Sequence, residues 1–577
     1  MLNRSTYIVP LILLWGQILL AGFIPGPTLV PLHPAWLLQD RLVAQIYKAA
    51  RQPWPFGFRR CTRRRGRRRH GLQRPASSKA QEEAVESETA QSPEAQPDPH
   101  PQGKSPETIE PVPEMNLEPQ DIDCLLDELR EYHAIYSPLF CRREQRERSG
   151  AYLNGLLLDI PDKAIEPMIL ALEGADPNAI RGTQHFISEG AWGDEAILKR
   201  HWQEVDQDLG DEDGVHILDG SDFPKQGEHS VGVKRQHCGQ LGKVANCQAG
   251  VFLGYASRKG YTLLDRRLYL PKEWVEDDAY AERRQKCGVP KGIKFKTKPE
   301  LGWEMIKALR EEGTLRGRWL TCDEDFGRDT AFLDKVDGIE LWYYAEVPHD
   351  TRVWLERPAT AVPEWSGKGR KPTRERLVEG EPPAQEVTAI AQSWPADKWS
   401  RHTIKEGSKG PIVADFAAWR VVAVRDGLPG PEVWLVLRRD VVSGELKTYL
   451  SNAPADTPLE TLVRLSGMRW PIETCFEEGK QHLGIGDYQV RSWRGWHHHM
   501  TLCILAHFFL VRIKLKLKEN APALTLPQIH LLLTGVLPKR QFDAQWVLEV
   551  VVYRQERNHA AYLSHRKRRL ALLNQLE

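Results

Sequence analysis

Gly214-Val-His-Ile-Leu-Asp219 and Arg318-Trp-Leu-Thr-Cys-Asp323 are short apolar runs, each closed by an aspartate. Alternate residues of a strand face the same side, so Val215 and Ile217 share a side with Asp219, and the acid emerges where the strand leaves its packed region. Asp323 closes the second run in the same way. If the two strands are neighbours, their carboxylates converge at one end of a sheet, where hard oxygen ligands can hold Mg2+ or Mn2+. Each place offers a second acid, Asp222 or Asp325. Asp219 and Asp323 are the better choices because each directly ends its strand, whereas the later acids fall in the loop.

The surroundings of the two runs alternate strands and helices. VANCQAGVFLGYAS (244–257) reads as a long strand and YTLLDRRLYLP (261–271) as its antiparallel neighbour across Arg258-Lys-Gly. KPELGWEMIKALREEG (298–313) reads as a helix stopped at Gly313, followed by a helix over 330–336 and a strand over 339–347. Three antiparallel strands, then helix, strand, helix and strand, predict an α/β fold: an RNase H-like mixed sheet flanked by helices, its first part over 211–347. Residues 348–465 interrupt this core. Their first part, rich in Pro, Gly, Lys and Arg, reads as irregular. The rest is a small β-rich insertion with strands WRVVAV, EVWLVLRR and LKTYLSN separated by the turns DGLPGP and SGE. The core resumes over 466–530 with a helix opened by Pro471 and a long apolar helix from about 498 to 517, and a helical tail fills 531–577.

Before the sheet, residues 115–210 carry apolar residues at helical spacing, in DIDCLLDELREYHAIY, AYLNGLLLDI and AIEPMILALEG, and predict an N-terminal all-α domain. Arg142 and Arg143 open its run Cys141–Arg148, which can track phosphates or form a solvated helix face. Residues 1–114 are of another kind. An apolar, uncharged run (7–31) is followed by eight arginines within 59–69 and a Pro, Glu, Ser and Gln-rich stretch that cannot bury enough apolar surface to fold. The expectation is an upstream extension of the reading frame with Met115 as the true start; a membrane anchor with basic residues on the cytoplasmic side is the alternative.

Composition narrows the partners. In a chain of 577 residues, 79 Lys plus Arg against 78 Asp plus Glu leave a formal charge of +1, so no global field draws it onto a polyanion and affinity for DNA must come from local patches. Nine cysteines without a CxxC pair argue against a zinc finger and a disulfide framework, and fit a reducing cytoplasm.

A third acid stands in Arg469-Trp-Pro-Ile-Glu473-Thr-Cys-Phe-Glu-Glu-Gly-Lys480. Pro471 suits the first position of a helix, which places Glu473 in its first turn. Glu473 and Lys480, seven residues apart, lie nearly on one helical line with Glu477 between them and Glu478 turned away. A metal-ligating carboxylate beside a phosphate-holding lysine would make an active-site edge, with Arg469 free to pair with another phosphate. Taken singly, each residue has a plainer role: a turn or helix cap for Asp219 and Asp323, a dipole-favoured acid for Glu473, a surface ion pair for Glu477 and Lys480.

In combination the sequence resembles the DDE-type transposases of bacterial insertion sequences. The segment 214–235 with Phe-Pro-Lys and His-Ser-Val-Gly-Val, then 238–248, is similar to the block around the family's first aspartate; Asp323-Glu-Asp-Phe-Gly327 is similar to its second. Arg469, Glu473 and Lys480 match three members of the tyrosine-Arg-Glu-Lys signature, whose tyrosine is Ser466 here. The resemblance implies catalytic, metal-holding Asp219, Asp323 and Glu473, two Mg2+ or Mn2+ ions, and cutting and joining of DNA at the inverted-repeat ends of an element and at a target. It also implies a homodimer in the active complex, no small-molecule cofactor, no membrane, and a cytoplasmic, nucleoid-associated place in a bacterium. The rival readings are a catalytically inactive, transposase-derived DNA-binding protein and an RNase H-like nuclease outside transposition.

Other features are secondary. Lys294 and Lys296, within the basic run 283–298, and the tail Arg566–Arg569 are DNA-binding candidates together with Arg469, Lys480, Arg142 and Arg143. His497-His-His499 lacks cysteine partners for a soft metal and is expected at a loop-to-helix entry near DNA. The family's β-rich insertion carries aromatics able to stack on a displaced base, but packing is the expected role of Trp354, Trp365, Trp394 and Trp399.

Overall fold

A computed structural model describes residues 113–575 except 366 and 408. The readings of the apolar run, the arginine cluster and most of the polar stretch after it lie outside the described residues. Helices come first: α1 (Pro119–Asp123), α2 (Leu125–Tyr136), α3 (Arg143–Leu157), α4 (Ile165–Glu173), α5 (Pro177–Ser188) and α6 (Asp194–Leu209). Their starts follow local chemistry. At α5, Asp176 accepts a hydrogen bond from the Asn178 amide at 2.8 Å, and Pro177 takes a first-turn position that needs no amide donor.

The strands then begin: β1 (Val215–Pro224), β2 (Lys234–Cys238), β3 (Lys243–Ala256) and β4 (Tyr261–Tyr269). Helices α7 (Lys272–Glu276), α8 (Ala281–Lys286) and α9 (Lys298–Glu312) lead to β5 (Trp319–Cys322), α10 (Glu324–Gly327), α11 (Thr330–Asp337) and β6 (Trp342–Glu346). Short strands β7 (Arg352–Trp354), β8 (Thr360–Ala361), β9 (Arg376–Leu377) and β10 (Gln385–Glu386) and helix α12 (Val387–Ser393) precede β11 (Ser400–Gly407), β12 (Gly410–Arg425), β13 (Leu428–Asp440) and β14 (Leu446–Ser451). The last elements are α13 (Leu459–Ser466), α14 (Trp470–His482), α15 (Trp493–Lys516), α16 (Leu526–Thr534) and α17 (Ala544–Leu573).

Twelve strands form one mixed sheet in the order β10-β7-β12-β13-β14-β6-β5-β1-β3-β2, with β4 on β3 and β11 on β12. The expected α/β class, a large mixed sheet with helices, is the class observed. The stretch 348–465 is sewn into that sheet: β14 pairs antiparallel with β6, Tyr449 opposite Glu346 and Ser451 opposite Tyr344. A strand left at the edge would expose unpaired amides and carbonyls, and β14 removes that edge.

Several expectations need correction. Asp219 does not end its strand: β1 runs on to Pro224 because β3 stays paired along its whole length, and Asp222 lies inside the strand opposite Ala249. What ends beside Asp219 is the parallel pairing with β5, whose last step is Leu218 opposite Cys322. Asp325 lies in the short helix α10. His497, His498 and His499 sit inside α15 and are buried. His498 stacks on Trp192 with ring centres 3.6 Å apart, and Nδ1 of His499 lies 2.7 Å from the Tyr152 hydroxyl. Burial lowers all three pKa values, so these are neutral histidines packed inside the core rather than at a loop-to-helix entry.

Residues paired across β1 and β3 share a face, and this sets the site's position. Asp219 lies opposite Phe252, whose ring packs against Phe476 of α14 and Trp496 of α15. The other face, carrying Leu218, is covered by α9, where a Cβ on Gly302 would lie 2.9 Å from Leu218. Asp219 therefore looks toward the layer that contains α14. Among the described residues, no helix is long and apolar enough to cross a membrane.

Candidate active site

Strands β1, β5 and β6 run parallel, and their pairings stop at the same level: Leu218 opposite Cys322, and Cys322 opposite Ala345. The next residue on each strand is an acid: Asp219, Asp323 and Glu346. Three adjacent parallel strands thus present three carboxyl groups at one end of the sheet. Asp323 also caps α10, its Oδ1 accepting from the amides of Asp325 at 3.0 Å and Phe326 at 3.4 Å. The plain role of a helix cap and membership of the acid cluster coexist in one side chain. Asp219 Oδ1 accepts from the Gly220 amide at 2.7 Å, which turns Oδ2 toward the site.

Helix α14 brings the fourth acid. Pro471 falls in its first turn, as does Glu473, and Arg469 stands at its N-cap. The Arg469 guanidinium joins the two elements: Nη1 lies 2.8 Å from Asp219 Oδ2, Nη2 2.7 Å from Glu473 Oε1, and Nε 3.6 Å from Glu346 Oε2. Arg469 is paired with carboxylates, whereas the sequence left it free for phosphate. Burial alone would lower its pKa; Asp219, Glu473, Glu346 and Asp323 outweigh that and hold it above the ordinary value. Burial raises Asp219 above the usual carboxylate range, with Arg469 opposing. It raises Asp323 as well, and the charges of Asp219 and Asp325 add to the shift.

Gly327, the last residue of the Asp323–Gly327 block, has a spatial reason to be glycine. A Cβ there would fall 1.9 Å from the backbone oxygen of Glu346, so α10 can lie against the end of β6 only without a side chain.

The remaining sequence candidates are distributed differently. Lys480 shares α14 with Glu473 but forms no ion pair with Asp219, Asp323 or Glu473; its ammonium lies 5.6 Å from the centre of the Phe223 ring. Burial lowers its pKa, and Asp222 opposes the shift. Glu478, which the helical wheel turned away, is buried and accepts from the Tyr261 hydroxyl at 3.0 Å, with His507 Nε2 also at 3.0 Å. Arg142 and Arg143 lie at the start of α3, where Arg143 pairs with Glu147 at 2.8 Å. Lys294 is exposed, and Lys296 pairs with Glu304. Trp394 stacks on Trp419 with ring centres 3.5 Å apart, and Trp354 is buried with its Nε1 donating to the Pro382 oxygen at 2.9 Å.

Beside the acids lies a cavity of about 320 Å³. Its wall holds Glu346, Lys405, Arg438, Lys447, Arg469 and Glu473. Lys405, Arg438 and Lys447 come from β11, β13 and β14, and Glu445 stands just before β14, so the stretch after 348 supplies three cations and one acid to a cavity whose other acids come from β6 and α14.

Comparison with known proteins follows the same lines. Residues 135–411 match the family described as DDE superfamily endonuclease, a span that contains Asp219, Asp323 and Glu346 and ends before Glu473. Over 367 residues, 62% of this chain and 81% of the relative, the chain is 23% identical to the "Probable transposase for insertion sequence element IS701" of Microchaete diplosiphon. Both matches support a DDE-type insertion-sequence transposase. Among solved structures it is similar to a piggyBac transposase synaptic complex with hairpin DNA, at 11% identity and a TM-score of 0.34, covering 73% of this chain and 80% of that one.

Sequence reasoning missed Glu346, Lys405, Arg438 and Lys447, which line the cavity beside the acids. Glu346 carried a usable signal: Leu341-Trp-Tyr-Tyr-Ala-Glu346 is a third apolar run closed by an acid. The three cations carried none, because only strand pairing across the sheet brings them to the acids.

Proposed function

We propose that this transposase cuts DNA at the ends of an insertion sequence and joins those ends to target DNA, with Asp219, Asp323 and Glu473 holding divalent cations. The observation that carries this reading is the meeting of Asp219 and Glu473, from opposite ends of the core, on the two amino groups of one guanidinium, at 2.8 and 2.7 Å. Among the described residues, no three acidic, histidine or cysteine side chains already surround one point. The donor set nevertheless fits Mg2+ or Mn2+: the groups are hard oxygens, and a positive group already sits between two of them.

When bound, a pair of such ions would activate a water and stabilise charge on the attacking and leaving oxygens of an in-line displacement at phosphorus. The protein does the rest. Asp219 and Asp323 are held by backbone donors where the β1–β5 pairing stops, so their carboxylates need little reordering. Lys405, Arg438 and Lys447 line the adjoining cavity with charge complementary to a phosphate backbone. Lys480, Arg142, Arg143, Lys294 and Lys296 are the further candidates for DNA contact in this reading. The strand order β4-β3-β1-β5-β6, antiparallel over its first three strands and parallel over its last two, supports an RNase H-like core. Helices α1–α6 form the candidate DNA-binding domain ahead of it. Two protomers would hold the two ends of one element.

Asp219→Ala, Asp323→Ala or Glu473→Gln should abolish Mn2+-dependent nicking of DNA that carries the element's ends, while gel-shift affinity for that DNA persists. Full activity in any one variant removes that residue from the site.

A further inference from the structure

We propose that Glu346 is a positioning residue of this site: by holding the Arg469 guanidinium, it decides whether Asp219 and Glu473 are available to a cation. This rests on the reading of Asp219, Asp323 and Glu473 as cation-holding groups. Arg469 is shared among three carboxylates at unequal distances, close to Asp219 and Glu473 and looser, at 3.6 Å, to Glu346. A divalent ion drawn by Asp219, Asp323 and Glu473 would meet a guanidinium already bound to two of them, and like charges so close repel strongly. Arg469 must then withdraw without losing its counter-charge inside a partly buried site.

Glu346 is placed to receive it. It follows Ala345 at the end of β6, level with Asp323 on the neighbouring strand. Its Oε1 is anchored by Lys447 Nζ at 3.0 Å, which leaves Oε2 toward Arg469 Nε. The backbone beneath it is fixed by the close approach of Gly327. Glu346 and Arg469 both line the basic cavity, so drawing the guanidinium toward Glu346 moves it from the acids toward Lys405 and Arg438. One carboxylate thereby separates two uses of the same arginine, a stand-in cation in the resting protein and a cavity-lining cation once metal is held.

The test is Mn2+ binding, read from the loss of the free-ion electron paramagnetic resonance signal in the full-length protein. Glu346→Gln should weaken Mn2+ about tenfold, the scale on which groups that orient metal ligands act. Arg469→Gln should bind Mn2+ more tightly than the unaltered protein, and adding it to Glu346→Gln should restore the affinity. Unchanged affinity in Glu346→Gln overturns the proposal. So does a loss that Arg469→Gln fails to repair, since Glu346 would then act on the ion directly. Should Glu346→Gln not fold, Arg469→Gln alone decides, because unchanged or weaker binding shows that the guanidinium does not compete. Asp323→Ala is the control for the underlying reading: if it leaves Mn2+ binding intact, the metal assignment itself has failed, independently of Glu346.

Discussion

At Asp323 a structural duty and a chemical one pull in the same direction, since the cap of α10 fixes the carboxyl group that burial and neighbouring acids make costly to ionise. Its pKa rises from the ordinary range near 4 to about 7. The folded state then holds a proton that the unfolded chain has already released, so this group's contribution to stability falls as pH rises through that window. Without divalent ions, Asp323→Asn should therefore melt higher than the unaltered protein at pH 8, with the difference shrinking toward pH 4. Mg2+ should raise the melting temperature of the unaltered protein more than that of the variant. A melting temperature at pH 8 that drops on substitution would contradict this. Glu478 is the opposite case, an acid whose place is entirely internal. Glu478→Ala removes the acceptor of Tyr261 and the partner of His507, and should cost about 2–3 kcal/mol in urea unfolding, the price of unsatisfied buried polar groups. Helical spacing correctly set Glu478 off the Glu473 face, but it could not say whether that other face met water or core.

At the scale of elements, the short helix α10 and strand β6 are locked by Gly327. Gly327→Ala puts a methyl group into the backbone of Glu346, which cannot rotate away, so a loss of about 1–3 kcal/mol is expected from overpacking. Because the displaced strand end carries Glu346, Mn2+ affinity should fall with stability; calorimetry on the same sample reads both, and an unchanged melting temperature would show that β6 yields freely. Strands β3 and β4 and helix α9 were legible in sequence because their apolar spacing is local and strongly periodic. Strand β2 was not: Lys234-Arg-Gln-His-Cys238 is polar, and only its pairing with β3 makes it a strand. Helix α15 was legible as helix because it is apolar over many turns, but its histidines misled, since polar side chains near a helix start look solvent-facing until Trp192 and Tyr152 are seen against them.

Across the whole molecule, the sheet joins stretches that the sequence divides. Strands β12, β13 and β14 hydrogen-bond through β6 to the strands that carry Asp219 and Asp323, so amide hydrogen exchange should protect them to a degree comparable with β1 and β5. Exchange of β12–β14 that is uniformly much faster would instead mark a separately opening unit. The sequence by itself determined the alternation of strands and helices, the two apolar runs that end at Asp219 and Asp323, and the first-turn place of Glu473 beside Pro471, because each depends on residues within a few positions of one another. Tertiary structure alone decided that β1, β5 and β6 end level, that Glu346 joins the acids, that Arg469 is held by carboxylates, and that Lys405, Arg438 and Lys447 reach the same cavity. Those outcomes depend on strand order and register, which place side chains distant in the chain within a few ångströms of each other and which no local periodicity encodes.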